Sequence, residues 1–402
     1  MARFASHKSV ALVFGVAAVL YCAALGIRLH TRWYELDFSA YYFWAYALRS
    51  GLDPYATDLA PLATRLGLAT GASTHADYPP TFILCFAPLT LMSPHAAYWV
   101  WTGLNLVLLL AAVWVLFKGF GFGACGFVAL AAMAILYEPV SENFFWGQAQ
   151  IVLLLLLVLN FRWARAGKDA GAGLALAMAI LLKAYPAIML LHFVVARRAR
   201  VVAWTIAGLV AGGLVTLATV GWAAFGFLHP EITTAHVYWN AGLAASATIT
   251  RIFFAAFGTP LSSGANLARV ALIAAAVIWL LALGARATLA SERAGRRDAG
   301  YGVWVVLAVF LFPITWIHHM VLLLIPFAQT VLAAREGEAD GSAPMLALWS
   351  YAVSAAMLPL FWIYWLTWYV PLLPVCGVIA QVSGVLAFCA AYRLAIPSRS
   401  RA

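Results

Sequence analysis

Charge is what this sequence most lacks. Only 9% of its 402 residues are Asp, Glu, Lys or Arg, while 65% are hydrophobic. A soluble domain carries roughly 25% charged residues, so the shortage excludes a soluble globular protein and a disordered chain. Period-two alternation is lacking too: the apolar runs are continuous, which excludes a transmembrane β-barrel. The 5 cysteines, Cys22, Cys85, Cys125, Cys376 and Cys389, lie in or beside apolar stretches and form no C-x-x-C pair. They are read as small core residues, neither disulfides nor metal ligands. The chain also lacks G-x-x-x-x-G-K-[ST], a G-x-G-x-x-G opening a soluble β-α unit, H-E-x-x-H and G-x-S-x-G, so no nucleotide site, metal or other cofactor is expected. The net charge of +10 does not point to nucleic acid, because the basic residues sit in short loops between apolar runs, as the positive-inside bias distributes them.

What is present is a series of apolar runs near the length of a membrane crossing. They predict an all-α polytopic membrane protein, a single integral membrane domain over 1–402, with about 12 transmembrane or half-spanning helices and both termini in the cytoplasm. Arg3 and Lys8 precede the first span at about 10–29. A first outer loop follows at about 30–79, rich in aromatic residues. Tyr41, Tyr42, Ala45 and Leu48 recur there at helical spacing, which predicts an amphipathic helix in the outer interface. Tyr78-Pro79-Pro80 breaks the chain, and the short run Thr81–Met92 is read as half-inserted. Further crossings are expected at about 95–117, 124–140 and 144–161, with Glu138, Glu142 and Asn143 at the outer turn between the last two. Others are expected at about 201–220, 265–285, 345–363 and 369–392, with a large outer loop at about 221–262.

Two segments have basic clusters at both ends. Gly171–Ala196 is flanked by Arg162, Arg165 and Lys168 and by Arg197, Arg198 and Arg200, and its middle reads Lys183-Ala-Tyr185-Pro186. A charge at membrane depth is costly and proline breaks a helix. The expected shape is a pair of short helices with Lys183 at a recessed outer apex, since each arm reaches only about 20 Å. Tyr301–Ala334 repeats this geometry around Phe312-Pro313-Ile-Thr315-Trp316-Ile-His318-His319. Asp37, Tyr78, Glu142, Gln148, Gln150, Lys183, His318 and His319 then all map to the outer half. Ionisable groups at such depth are candidate functional residues. Neighbouring histidines stand about 100° apart on an α-helix, so His318 and His319 are not expected to share one small ligand.

Several short strings occur in a telling order: Asp37-Phe-Ser-Ala-Tyr41, Gly51-Leu-Asp53-Pro54-Tyr55, Tyr78-Pro79-Pro80 with Pro88-Leu89, Gly147-Gln148, Leu182-Lys183-Ala-Tyr185-Pro186, and Trp316-Ile-His318-His319. In order and spacing they resemble glycosyltransferase family 87, from about residue 37 to 325. Two departures are Ala184, where proline is expected, and Phe312, where a small residue often precedes the proline. The resemblance implies a GT-C-like membrane enzyme that takes a sugar from a polyprenyl-phosphate donor on the outer face of the membrane; the better known members are mannosyltransferases of phosphatidylinositol mannosides and related glycolipids. It implies an inverting hexosyltransferase of the cytoplasmic (inner) membrane, its site facing the periplasm or cell exterior. Its partners would be the polyprenyl-phosphate sugar, a lipid or glycan acceptor and membrane lipids.

Under that resemblance Asp37 is the expected general base for the acceptor hydroxyl. Lys183, Arg251, His318 and His319 are expected at the donor phosphate, where negative charge develops on the leaving group. Tyr41, Tyr78, Glu142, Gln148, Tyr185 and Trp316 would line the pocket. The alternative reading is a secondary transporter or lipid flippase, for which broken helices with polar residues are also characteristic.

Overall fold

The computed structural model describes residues 2–32, 37–69, 74–118, 123–222, 244–296, 299–337, 339, 341–367 and 372–396. Among them every regular element is a helix. In chain order these are α1 (Ala2–Arg32), α2 (Asp37–Arg49), α3 (Ala60–Arg65), α4 (Pro80–Phe86), α5 (Pro94–Phe117), α6 (Ala124–Ile135), α7 (Glu138–Trp146), α8 (Gln150–Arg165) and α9 (Asp169–Leu182). They continue as α10 (Met189–Val195), α11 (Ala199–Val220), α12 (Ala245–Phe257), α13 (Ser263–Arg293), α14 (Tyr301–Leu311), α15 (Leu324–Arg335), α16 (Ser342–Ala355), α17 (Leu358–Thr367) and α18 (Leu372–Ala395). Short 3-10 turns over Ala87–Leu91, Tyr185–Ile188 and Ile317–Leu323 lead out of α4 and into α10 and α15.

Six helical stretches are long and apolar enough to cross a membrane: Pro94–Phe117, Ala199–Val220, Ser263–Arg293, Ile317–Arg335, Ser342–Leu360 and Val375–Ala395. The pair α6–α7, bent by 63°, adds a broken span. The chain is therefore a multi-pass membrane protein, with fewer full-length spans among the described residues than the count of about 12 expected from runs of apolar residues. Several of those runs are short helices that stop at a break, α9 at Leu182 and α14 at Leu311 among them. Most of the expected large outer loop, residues 223–243, lies outside the described residues, as do 33–36 and 70–73 of the first loop.

The chain forms two compact units. The first comprises Met1–Leu136, Val140–Ala184 and Ala203–Glu231; the second comprises Tyr137–Pro139, Tyr185–Val202 and Ile232–Ala402. In the first, α8 packs on α9 and α5, and α1 on α6. Glycines permit the close approach of α11 to α9: a Cβ on Gly208 would lie 2.6 Å from the Ala177 Cβ, and one on Gly212 would meet Leu181. Small residues at such crossings let helix backbones come together in lipid. The aromatic helix of the first loop is α2. Its Phe38, Tyr41, Tyr42, Phe43, Trp44, Ala45 and Ala47 are all buried, so it is packed on consecutive positions and presents no single apolar stripe.

The polar string Glu138, Glu142 and Asn143 departs from expectation. It is no turn but the body of α7, with Glu138 at 0%, Glu142 at 5% and Asn143 at 1% exposure. The break in the helix comes later, at Gly147–Ala149, and α8 starts at Gln150. Polar residues were taken for a loop; here they are held inside the protein, where buried polar groups find partners.

In the second unit α16 packs along α18, and α14 is sandwiched by α13, α15 and α18. Every residue of α14 from Tyr301 to Val309 is buried, while α13 is almost wholly exposed along its apolar length. Thr288 on α13 ties the neighbours together: it accepts from Trp304 Nε1 at 2.8 Å and lies 3.3 Å from His192 Nδ1. These bonds satisfy polar groups that burial would otherwise penalise.

Candidate functional site

The first unit gathers five of the expected site residues into one hydrogen-bonded set. Asp37 opens α2, Tyr78 directly precedes the Pro79-Pro80 start of α4, Gln148 lies in the α7–α8 turn, and Lys183 follows the last residue of α9. Gln148 is the hub. Its Nε2 donates to Asp37 Oδ2 at 2.5 Å, and its Oε1 accepts from Lys183 Nζ at 3.0 Å and from the Tyr78 hydroxyl at 3.3 Å. The Lys183 ammonium lies 4.6 Å from the centroid of the Tyr78 ring, a cation–π distance. The Tyr78 and Tyr41 hydroxyls are 2.9 Å apart. Lys183 and Gln148 are buried, whereas Asp37 is half-buried. Asp37 and Tyr78 are the half-buried members of the set, and Tyr41, Gln148 and Lys183 its buried ones.

Local folding explains this convergence. Helix α9 ends at Leu182 and Lys183 is extended, at φ −146° and ψ 132°; Pro186, four residues beyond Leu182, has no N–H for its carbonyl and would clash with it in a continued helix. Gln148 is placed by a tight reversal at Gly147, whose φ of +67° suits glycine. The Gly147 carbonyl accepts from Trp101 Nε1 at 2.7 Å. The Gln148 amide donates to the Asn143 carbonyl at 2.9 Å, and the Asn143 side chain accepts from the Gln150 amide at 3.0 Å. A Cβ on Gly147 would fall 2.7 Å from the Phe38 Cβ. The turn carrying Gln148 and the helix start carrying Asp37 are therefore in backbone-close contact.

Asp37 begins α2 and lies outside the candidate spans. Burial pushes its carboxyl up to about 6, and the charge of Glu142 adds to the rise; the Gln148 hydrogen bond and the charge of Lys183 oppose it. Asp77, a residue of the expected first outer loop, also interacts electrostatically with both Asp37 and Lys183. Its place directly before Tyr78 was the one sequence signal that pointed to it.

Glu142 lies in the first unit, on α7, and the second unit holds Tyr185, Arg251, Trp316, His318 and His319. The Tyr185 ring lies 5.3 Å from Phe312 and 5.3 Å from His319. His318 and His319 sit on the 3-10 turn Ile317–Leu323, not on an α-helix, and their rings stack at 4.6 Å. The α-helical separation of about 100° assumed for the pair therefore does not apply here. The Trp316 backbone N–H donates to His319 Nδ1 at 3.1 Å, so the proton of the neutral ring is on Nε2. Phe312, a departure from the expected pattern, packs against both Tyr185 and His319. Arg251 is on α12, where it donates to Thr248 Oγ1 at 3.3 Å; that hydroxyl also accepts from Gln381. Among the described residues no three His, Cys, Asp or Glu side chains form a group able to hold a metal ion.

In comparison with known protein families, the model of Glycosyltransferase family 87 aligns with residues 77–313, more than half of the chain. That stretch contains Asp77, Tyr78, Glu142, Gln148, Lys183, Tyr185 and Arg251. No curated protein and no solved structure matches.

Proposed function

The chain belongs to glycosyltransferase family 87, and from that membership we propose that it moves a hexose, mannose being the first candidate, from a polyprenyl phosphate to a hydroxyl of a lipid or glycan acceptor. The transfer would take place on the outer face of the cytoplasmic membrane. The transport reading is set aside, since the family is one of glycosyltransferases.

One observation carries the mechanism: the half-buried Asp37 carboxylate is held by Gln148, whose oxygen is itself held by Lys183 and Tyr78. Asp37 takes the acceptor hydroxyl proton as the oxygen attacks the anomeric carbon. The C–O bond to the donor phosphate breaks, and the phosphate leaves with the electron pair. Attack opposite the leaving group inverts the anomeric centre. Gln148 fixes the carboxylate by one N–H, leaving the other oxygen for the proton. Lys183 has three N–H bonds; one goes to Gln148, and the charge offsets the leaving phosphate. In this reading Tyr41 and Glu142 belong to the wall of the first unit's cluster, and the family resemblance alone keeps His318, His319, Arg251, Tyr185 and Trp316 of the second unit as candidates for binding the donor lipid.

The test is transfer of label from polyprenyl-phosphate-mannose into a lipid extract by membranes carrying the wild type or Asp37→Asn. A positioned base contributes roughly 10²–10⁴ in rate. A labelled product with the wild type and a loss of that size in Asp37→Asn support the reading. Transfer by an unimpaired Asp37→Asn removes Asp37 as base, and silence with mannose but transfer with another sugar replaces the donor.

A further inference from the structure

The string Gly51-Leu-Asp53-Pro54-Tyr55 lies outside the set of residues given chemical roles above, yet each of its special residues has a defined structural task. Gly51, at φ +76°, terminates α2. The Gly51 amide donates to the Leu48 carbonyl and the Leu52 amide to the Ala47 carbonyl, the paired bonds of a Schellman ending. The Asp53 side chain accepts from the Tyr55 amide at 2.8 Å and the Ala56 amide at 3.3 Å, which folds the chain into an Asx turn. Pro54, buried, offers its carbonyl to the Ala76 amide at 2.8 Å, and Leu59 donates to the Thr74 carbonyl at 3.1 Å. Finally the Tyr55 hydroxyl donates to the Tyr78 carbonyl at 2.9 Å.

These bonds strap segment 74–78 to the turn after α2, and the last falls on the residue that supports the hub. Tyr78 gives its ring to Lys183 and its hydroxyl to Gln148. Its main chain is fixed on one side by Pro79-Pro80, whose first proline has φ −54°, and on the other by the Ala76–Pro54 bond. Tyr55 closes the gap between those two anchors. Its own side chain makes no bond to Asp37, Gln148 or Lys183 in the network above; it acts on them through Tyr78.

We infer that Tyr55 is a positioning residue for sugar transfer: by holding the Tyr78 carbonyl it sets the Tyr78 side chain that carries Lys183 and Gln148, and through them Asp37. The inference rests on the proposal that Asp37 is the base. Losing the clasp loosens Tyr78, weakens the pull on Gln148 Oε1 and with it the Gln148 hydrogen bond to the carboxylate. A hydrogen bond to the charged form favours that form, so Asp37 then keeps its proton to higher pH.

The experiment uses the full chain in detergent or nanodiscs and the labelled donor that the wild type turns over. Turnover at saturating substrate and its pH profile are measured for the wild type, Tyr55→Phe, Tyr78→Ala and the double variant, with melting temperatures to normalise for folded protein. Tyr55→Phe removes one neutral hydrogen bond, so turnover per folded molecule is expected to fall about 3- to 10-fold, with the acid limb moved to higher pH. In the Tyr78→Ala background the same change is expected to cost less than about 2-fold, because there is no side chain left to place. Wild-type turnover in Tyr55→Phe overturns the inference. So does an equal loss in both backgrounds with an unmoved acid limb, the signature of a purely structural hydroxyl. Full activity in Asp37→Asn, measured alongside, would instead sink the base assignment and leave the Tyr55–Tyr78 coupling to be read from the cycle.

Discussion

Replacing Gly147 by alanine should slow sugar transfer per folded molecule as well as destabilise the protein. The turn at Gly147 has φ +67°, a region that charges an L-residue roughly 1–2 kcal/mol. The new methyl would also lie 2.7 Å from the Phe38 Cβ and 3.6 Å from the Phe38 Cα and amide nitrogen. Carbon atoms in contact settle at about 3.5–4.0 Å, so turn and helix must part by about 1 Å. Phe38 follows Asp37 and Gly147 precedes Gln148, so the parting acts directly on the 2.5 Å bond between them and stretches it beyond about 3.2 Å, the upper limit of a good N–H···O bond. A misplacement of about 1 Å at a reacting group can cost on the order of 10² in rate, against about 2–4 kcal/mol of stability for strain and overpacking together. The assay is sugar transfer per folded molecule, with the melting temperature recorded on the same samples. Gly167 is the control: its φ is +71°, but nothing lies within 4 Å of a Cβ there. Gly167→Ala should lose about 1–2 kcal/mol of stability and keep its rate. Gly147→Ala with transfer within about 2-fold of wild type would refute the claim that the Gly147–Phe38 approach sets the Asp37–Gln148 geometry.

Three further outcomes are expected. Because burial raises the Asp37 carboxyl to about 6 and a base must be ionised, transfer should decline as pH falls through about 6; Glu142→Gln removes a charge that raises the carboxyl and should move that limb to lower pH, while Gln148→Leu removes the bond that lowers it and should move the limb to higher pH. The same raised carboxyl binds its proton more tightly folded than unfolded, so its favourable contribution is full below an unfolded value of about 3.9 and is lost as pH rises through about 6; Asp37→Asn should therefore melt higher than wild type at pH 7, a difference that vanishes at acid pH. In the second unit a Cβ on Gly384 would run into the Phe310 ring, so Gly384→Ala should destabilise the protein by about 1–3 kcal/mol, measured as a lower melting temperature with no change in the acid limb.

The site was legible where the sequence breaks its own rules. Lys183 is a charge in an apolar run, with Tyr185-Pro186 one residue further on, and the structure ends α9 one residue before it. Asp37 and Tyr78 flank a loop that must return to the membrane, and both meet at Gln148. What the sequence could not supply was direction. Gln148 reads as a polar tip among several, and only the fold reveals that its two ends face opposite charges, making it the link between the Asp37 carboxylate and the Lys183 ammonium. The same blindness explains the misplaced turn. Glu138, Glu142 and Asn143 look like residues that seek water, because a pattern of polarity is silent about partners; buried in α7, they are interior. It also explains the crossing count. α13 and α14 are both apolar by composition, yet α13 is almost wholly exposed along its apolar length and α14 is buried from Tyr301 to Val309. In lipid, hydrophobicity is the entry condition for a lipid-facing helix and a core helix alike, so it cannot separate them. What composition leaves out are the close approaches themselves, marked by small residues: Gly208 and Gly212 against α9, and Gly384 against Phe310.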